Sequence, residues 1–326
     1  MQVGPCCTAR VIGERTVESV PVLTIGSESL GGIEAAFAPG AGMVCCSLRH
    51  AGEELLGQRG GLGRYRSARK TMGIPLLYPW ANRLGSRRFT VGGREIDLNG
   101  DELPLSFDAG GLPMHGLLGA AGGWRVDRHE SLPDGGVLAA SFDFGAQQAL
   151  VAAFPFPHTI ELEATLAGPR LAIATTVRPS ASVAVPIGFG FHPYLRLPGV
   201  ERSAWEVEVP VGERLLLDEQ MLPTGAREPV EIAAGPLGSR TFDDAFAAPL
   251  AGAPFALSGG GRRIELHLGE NYRFAQVYAP AEDEVIAFEP MTAPANALLV
   301  DGSELPWTEP GGTFTARFSI EISAAI

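Results

Sequence analysis

The sequence predicts an all-β protein built as one large antiparallel β-sandwich. Apolar and polar residues alternate with a period of two along most of the chain, and turns follow one another about every 8–12 residues. No segment carries an amphipathic helical stripe of about twelve residues or more. Strands that follow one another through short turns are typical of sheets packed on sheets, not of helices layered on a parallel sheet.

The clearest alternation predicts a hairpin in the middle of the chain. Apolar residues alternate over Ile160–Leu166 and again over Leu171–Val177, with turn residues between them. The same alternation predicts further strands at Trp205–Val211, Ile264–Leu268 and Phe314–Ile322. Gly92-Gly93 is a two-residue hairpin connection, because both glycines tolerate positive φ. Asp143–Phe154 is the best helix candidate, but Gly145 near its start leaves the interpretation ambiguous.

Length and composition indicate a single folded domain. The chain has 326 residues, of which 45% are hydrophobic and 19% charged, enough for a substantial core. No repeat of fixed period and no linker-like change of composition interrupts the strands. We therefore expect one domain at residues 21–326, preceded by a polar N-terminal tail at residues 1–20.

Charge and cysteine usage exclude several classes of partner. The net charge of −12 argues against nucleic acid and anionic membranes, and no apolar run reaches the ~20 residues of a membrane span. The cysteines form two adjacent pairs, Cys6-Cys7 and Cys45-Cys46, which are poorly placed for mutual bridging and lack zinc-site spacing. Reduced thiols and a cytoplasmic location are therefore expected.

Polar residues that suit a sugar site lie between the strands. His192 stands among aromatic, glycine and proline residues, and Glu289 ends an apolar run and should be at least partly buried. Arg83 closes an aromatic loop, and Asp243 and Asp244 lie between two phenylalanines. Sugars pack their C–H patches on aromatic rings and hydrogen-bond their hydroxyls to planar polar groups, so this combination favours carbohydrate binding.

Cofactor motifs are missing from the same regions. His115 and His192 lack a short ligand spacing and a strong third ligand, so we expect no metal site. Gly188-x-Gly190 lacks the third glycine of a dinucleotide loop, and no nucleophile elbow occurs. We therefore expect that the protein needs no cofactor.

Five segments together resemble the aldose 1-epimerase (mutarotase) family and occur in the family's order: Pro79–Leu84, His115-Gly116, Gly190–Tyr194, Phe242–Phe246 and Phe288–Ala297. The likeness runs from about Pro21 to the end of the chain. It implies a galactose-mutarotase-like β-supersandwich and an isomerase that interconverts the α and β anomers of a free aldose.

The resemblance also implies roles for individual residues. Glu289 matches the family's base, His192 its acid, and His115 the second imidazole near the ring oxygen. Substrate-binding positions match four residues of the loops and strands: Trp80, Asn82, Arg83 and Asp243, with Asp244 instead of Asp243 if the alignment moves by one. This chain departs from the family after Tyr194 and in the glycine- and alanine-rich stretch Leu117–Trp124, so it belongs to a divergent branch.

Two other functions stay open at this point. A non-catalytic sugar-sensing module would use the same residues to bind without turnover, and a glycoside hydrolase would use Glu289 and Asp243 as its two carboxyl groups. The basic run from Arg64 to Lys70 is typical of a solvated loop, but it also leaves open a phosphorylated hexose as substrate. The partner is in each case a small-molecule sugar, and the protein is expected to be a monomer or a homodimer.

Overall fold

The computed structural model describes residues 11–100, 103–249, 252–300, 302 and 304–324, and strands dominate them. The strands of the first half are β1 (Ile12–Val17), β2 (Val20–Ser27), β3 (Ile33–Ala38), β4 (Val44–His50), β5 (Glu53–Glu54), β6 (Leu76–Leu77), β7 (Arg88–Val91), β8 (Arg94–Asp97), β9 (Ser106–Phe107), β10 (Pro113–Met114), β11 (Arg125–Leu132), β12 (Gly135–Asp143), β13 (His158–Ala167) and β14 (Arg170–Pro179). The second half contains β15 (Val185–Pro186), β16 (Gly190–Phe191), β17 (Tyr194–Leu195), β18 (Glu206–Glu208), β19 (Glu213–Leu217), β20 (Pro223–Pro229), β21 (Gly235–Pro236), β22 (Phe242–Ala247), β23 (Phe255–Gly259), β24 (Arg262–Leu268), β25 (Phe274–Ala279), β26 (Ile286–Met291), β27 (Trp307–Thr308) and β28 (Phe314–Ala324). The helices are α1 (Gly61–Ala68) and α2 (Gln148–Ala153), with short 3-10 turns at Ser29–Gly31, Pro39–Ala41 and Arg202–Ala204.

Two large antiparallel sheets form the sandwich that the alternation predicts. One runs in the order β11-β12-β13-β14-β28-β24-β23-β18-β21, and the other in the order β20-β19-β22-β25-β26-β16-β6, with β17 also paired to β26. Aromatic side chains fill the space between them: Phe191 packs on Phe318 with ring centroids 5.0 Å apart, and Phe255 stacks on Phe288 at 5.1 Å. The core therefore lies between the sheets, and the outer face of the second sheet is left for other contacts.

The predicted hairpin is confirmed as β13 and β14, and β28 continues the same sheet beside β14. Leu166 lies opposite Leu171, which in turn lies opposite Ile320, and all three side chains are buried. The predicted strand at Trp205–Val211 is shorter in the structure, where β18 ends at Glu208. Pro210 explains the difference, because proline has no N–H to donate to a sheet.

Both helices are short. The ambiguous segment Asp143–Phe154 contains α2, and α1 lies in a stretch that the sequence pattern does not identify as helical. Eight residues give too few turns for a periodic stripe to be recognised. Neither described helix is long and apolar enough to cross a bilayer.

The folded region begins before the predicted domain boundary at residue 21. Ile12–Val17 pairs with β2 along its whole length and forms the edge of a five-stranded sheet, β1-β2-β3-β4-β5. Thus part of the segment that the sequence assigns to a polar tail is an edge strand, in keeping with the partial burial of its alternate residues. Residues 1–10, with Cys6 and Cys7, lie outside the described residues. Cys45 and Cys46 are buried free thiols.

His158 is a structural histidine of the core. Its Nδ1 lies within hydrogen-bond distance of the Phe156 carbonyl, which can only accept, so Nδ1 carries the proton. Nε2 is then the acceptor for the Tyr78 hydroxyl, 2.6 Å away. Burial lowers the pKa of His158 to about 4, which is consistent with this neutral form.

We expect Tyr78→Phe to lower the free energy of unfolding by about 1–3 kcal/mol, because it leaves His158 Nε2 buried without a donor. Tyr65→Phe is the matched control: the Tyr65 hydroxyl is also buried but has no hydrogen-bond partner among the described residues, so its loss should cost nothing. Urea unfolding with unchanged m-values would measure both effects. Equal stability of the two variants would contradict the assignment.

Candidate active site

A cavity of about 280 Å³ lies against the outer face of the second sheet. Its wall brings together six residues singled out in the sequence: Asn82, Arg83, His115, His192, Asp243 and Glu289. Small-molecule sites in proteins occupy roughly 300–1,000 Å³, so this volume suits one sugar ring rather than a longer oligosaccharide.

The position of Glu289 follows from the alternation of β26. Phe288 faces the first sheet and stacks on Phe255, so the next side chain must point to the opposite face. Glu289 is 2% exposed there, and the partial burial expected from the sequence is confirmed.

His192 and Glu289 are in direct contact. His192 follows β16, and its N–H donates to the carbonyl of Pro75, which fixes the backbone beside β26. The side-chain atoms Nε2 of His192 and Oε1 of Glu289 lie 3.1 Å apart. Glu289 Oε2 and His192 Nδ1 are buried and have no hydrogen-bond partner within the described residues. Buried polar atoms left in this state call for an explanation, and a ligand is one.

Burial favours the uncharged form of this pair. It raises the pKa of Glu289 well above its usual 4.5, and the charge of Asp243 acts in the same direction, while Arg83 opposes it. Burial also lowers the pKa of His192 well below its usual 6.5, with His115 and Arg59 adding to the effect. Both directions favour the form in which the pair holds one proton, on the Glu289 carboxyl group, with His192 Nε2 as its acceptor. An imidazolium beside a carboxylate, as reference pKa values suggest, is not the favoured resting form.

The plane of the His192 ring is fixed by a stack of side chains. Tyr194 lies parallel to the imidazole with ring centroids 4.0 Å apart, and the Arg59 guanidinium lies 4.8 Å from the Tyr194 ring centroid. The Tyr194 hydroxyl hydrogen-bonds to Thr71 at 2.6 Å, and Arg59 pairs with Asp283 at 3.1 Å. These contacts leave the imidazole little rotational freedom.

Strand register separates Asp243 from Asp244. Asp243 lies opposite Tyr278 on β25, and both side chains line the cavity, where Gln276 Nε2 donates to Asp243 Oδ1 at 2.7 Å. Asp244 points to the other face, 3.4 Å from Arg214, and does not line the cavity. The geometry therefore favours Asp243 of the two acids that the sequence left open.

A strained loop places His115 beside His192. Both His115 and Asn82 have positive φ, 63° and 55°, and the His115 N–H donates to the Asn82 carbonyl at 2.9 Å. A Cβ on the next residue, Gly116, would lie 2.0 Å from the Tyr78 carbonyl oxygen, so glycine is required there. The two imidazole centroids are 5.8 Å apart. Burial, with the charges of Arg83 and Arg59, lowers the pKa of His115 to about 3, so this ring is neutral.

Arg83 enters the cavity with its charge already balanced. Its Nε donates to Asp108 at 2.9 Å and its NH1 group to the Asn82 side chain at 3.1 Å. Burial raises the pKa of Asp108, but the Leu112 N–H and Arg83 outweigh it, so that pKa lies below its usual value. Among the described residues no partner occupies the remaining donors of Arg83, which can therefore bind hydroxyl groups.

Trp80 does not line the cavity, unlike the other residues that the resemblance implies. It is 2% exposed and packs in the main core, so its position is structural. Conversely, the sequence assigned no role to Arg59, Thr71, Tyr194 or Tyr278, all of which line the cavity. Tyr194 lies in one of the five segments that resemble the family, but no sequence pattern distinguishes Arg59, Thr71 or Tyr278.

The basic run also differs from its expectation as a solvated loop. Arg64 and Arg66 are exposed on α1, whereas Arg69 and Lys70, which follow that helix, line the cavity. No group of three or more His, Cys, Asp or Glu side chains suited to a metal occurs within the described residues.

Comparison with known proteins identifies the family and the fold of this chain. The aldose 1-epimerase family model matches residues 39–321. The chain is 23% identical over 256 residues to the uncharacterized protein YihR of Escherichia coli (strain K12), a match that covers 75% of this chain and 77% of that protein. A galactose mutarotase-like protein from Clostridium acetobutylicum superposes with a TM-score of 0.83 at 17% identity, over 96% of this chain and 98% of the other. A GalM/aldose epimerase homologue from C. elegans gives a TM-score of 0.71 at 16% identity, over 94% and 100%. The chain belongs to the aldose 1-epimerase family, has the galactose mutarotase-like fold that this resemblance implied, and is expected from its family to take a small-molecule sugar.

Proposed function

We propose that the protein is an aldose 1-epimerase, an isomerase that interconverts the α and β anomers of an aldose by acid/base ring opening and closure. One observation carries the proposal: a buried imidazole and a buried carboxyl group lie 3.1 Å apart in the wall of a cavity of monosaccharide size. Family membership supports the reaction class. A cytoplasmic location and a monomeric or homodimeric state stay predictions.

The reaction explains why the two groups must be neighbours. Mutarotation removes a proton from the anomeric hydroxyl and delivers one to the ring oxygen, and both oxygens are bonded to C1. An acid and a base that serve these two atoms must therefore lie side by side, as His192 and Glu289 do. Each positioned proton transfer typically contributes about 10²–10⁴ in rate.

We assign Glu289 as the base and His192 as the acid. Transfer of the shared proton across their contact gives a carboxylate and an imidazolium. Glu289 then takes the anomeric proton while His192 protonates the ring oxygen, and the C1–O5 bond breaks to give the aldehyde. Rotation about C1–C2 and the reverse transfers close the ring as the other anomer. The pair ends with the same single proton that it began with.

The other cavity residues are suited to hold the sugar. Asp243, oriented by Gln276, can accept hydrogen bonds from sugar hydroxyls, and the remaining N–H groups of Arg83 can donate to them. His115 is neutral and therefore offers one donor and one acceptor near the reacting atoms. Asn82 positions both Arg83 and His115 through its side chain and its carbonyl.

Two alternatives differ from this proposal in measurable ways. A sugar-sensing module would bind a sugar without exchanging its anomers. A glycoside hydrolase would release an alcohol from an aryl glycoside with Glu289 and Asp243, yet the group that contacts Glu289 is an imidazole and the partner of Asp243 is an amide. The hydrolase would leave the His192–Glu289 contact without a role, and the sensing module would use it for binding alone.

Glu289→Gln should lower kcat for anomer exchange by about 10²–10⁴-fold, because an amide cannot take the anomeric proton. Sugar affinity should stay within about tenfold. Saturation-transfer NMR of α/β exchange measures the rate and calorimetry the affinity. His192→Asn should give the same pattern.

Glu284→Gln is the matched control, since Glu284 precedes β26 but is exposed and lies outside the cavity. Its exchange rate should equal that of the unmodified protein. Undiminished exchange in Glu289→Gln would exclude Glu289 as the base. Sugar binding by the unmodified protein without any exchange would instead identify a sensing module.

We expect kcat/KM for exchange to be bell-shaped in pH and not to decline as the pH falls through 6.5. The free pair takes up a second proton on His192, whose pKa lies below 6.5, and loses its remaining proton from Glu289, whose pKa lies above 4.5. Activity is thus lost only below the first titration and above the second. The exchange rate measured with the Glu289→Gln protein is subtracted as the background at each pH. Loss of half the activity as the pH falls to 6.5 would contradict the prediction, because His192 would then titrate like an imidazole in water.

A further inference from the structure

One stretch of this acidic chain is strongly basic. The chain carries a net charge of −12, yet residues 55–94 contain no Asp or Glu. They hold nine of the 25 Lys and Arg residues: Arg59, Arg64, Arg66, Arg69, Lys70, Arg83, Arg87, Arg88 and Arg94. Such a concentration of one sign creates a local positive potential that favours anionic ligands.

Four of these cations line the candidate active site, and two of the four are balanced. Arg59 pairs with Asp283 at 3.1 Å and Arg83 with Asp108 at 2.9 Å. These two arginines need no additional anion.

Arg69 and Lys70 differ from the other two. Within the part of the chain that the structure describes, neither has a carboxylate partner, and the bond of Arg69 NH1 is to the neutral carbonyl of Leu105, at 3.0 Å. Burial lowers the pKa of Arg69, with no carboxylate to offset it. Arg69 ends α1 in the left-handed conformation, with a φ of 54° and its N–H bonded to the Tyr65 carbonyl, and this turn places the side chain at the cavity. A half-buried guanidinium and an ammonium without counter-charge, side by side in the wall of a cavity, are typical of a binding site for an anion.

We propose that the aldose carries a phosphate monoester, which Arg69 and Lys70 bind at the mouth of the cavity. This inference rests on the proposed epimerase function and names its substrate class. A phosphate monoester bears a charge of about −1.5 to −2 at pH 7, which matches two unbalanced cations. Guanidinium and ammonium groups are the usual protein ligands for phosphate.

The chemistry of the reaction restricts where the phosphate is attached. C1 must keep a free hydroxyl, since a sugar phosphorylated at C1 cannot open its ring. The phosphate is therefore on another carbon, and binding it to Arg69 and Lys70 leaves C1 for His192 and Glu289 within the same cavity. The reaction that supplies such a substrate is the phosphorylation of an aldose, or the release of an aldose phosphate from a larger molecule.

Binding can be tested independently of catalysis with 1,5-anhydroglucitol and its 6-phosphate, and with the corresponding galacto pair. These sugars lack the anomeric hydroxyl and cannot mutarotate. We expect calorimetry to show that the phosphate form binds about 10- to 100-fold more tightly, as charge-assisted hydrogen bonds do. Increasing ionic strength should reduce this preference.

Substitution should assign the preference to the two residues. In Lys70→Gln and Arg69→Gln the ratio of the two dissociation constants should fall by about tenfold or more. Lys70 is exposed, so its substitution should leave folding intact even if Arg69→Gln does not fold. Arg66→Gln is the matched control, because Arg66 is exposed on α1 and does not line the cavity. It should keep the preference.

Anomer exchange is then compared for free hexoses, hexose 6-phosphates and hexuronic acids. A higher kcat/KM for the 6-phosphate than for either other class supports the proposal, and a preference for the uronic acid would identify a carboxylate site instead. Equal binding of neutral and phosphorylated anhydro sugars, or no binding of the phosphate form, would overturn the phosphate proposal. Exchange of free hexoses by the same protein would show that the epimerase function holds without it. Phosphate-dependent binding without exchange of any sugar would support the phosphate site and overturn the epimerase function.

Discussion

The contact between His192 and Glu289 is the interaction on which the rest of the cavity depends. Two ionised groups in this buried position would each lose several kcal/mol of hydration. A single shared proton lets both groups remain uncharged and still satisfy one polar atom each. Their other polar atoms, Oε2 and Nδ1, have no partners within the described residues, so the arrangement costs stability, as sites that bind a ligand do.

The register of the second sheet makes this contact possible. Phe288 and Glu289 are neighbours on β26, and because the first faces the core the second faces the cavity. Pairing with β25 puts Gln276 opposite Glu289, and pairing with β22 puts Asp243 within reach of Gln276. A slip of one residue would expose the phenylalanine and bury the acid in the core. Core packing and the site are therefore specified by the same register.

The sequence predicted the features that repeat locally and missed those that depend on distant contacts. Alternation over Ile160–Val177 predicted the hairpin, and the family motifs singled out Glu289 and His192, which lie in contact in the cavity wall. No local pattern indicates that Arg59 stacks on Tyr194 from a separate loop. Trp80 shows the opposite error. A motif placed it among the substrate-binding residues, but the packing of the structure shows that its side chain lies in the core.

The charges around the pair connect its resting state with the substrate proposed for it. Arg59 and His115 disfavour an imidazolium at His192, while Arg83 favours a carboxylate at Glu289. Both effects draw protons away from the pair, whereas burial and the charge of Asp243 keep the last one on Glu289. A phosphate bound to Arg69 and Lys70 adds negative charge to the same cavity and so opposes both effects. A phosphorylated sugar would thus help the pair to keep the proton that ring opening requires, and a neutral sugar would not.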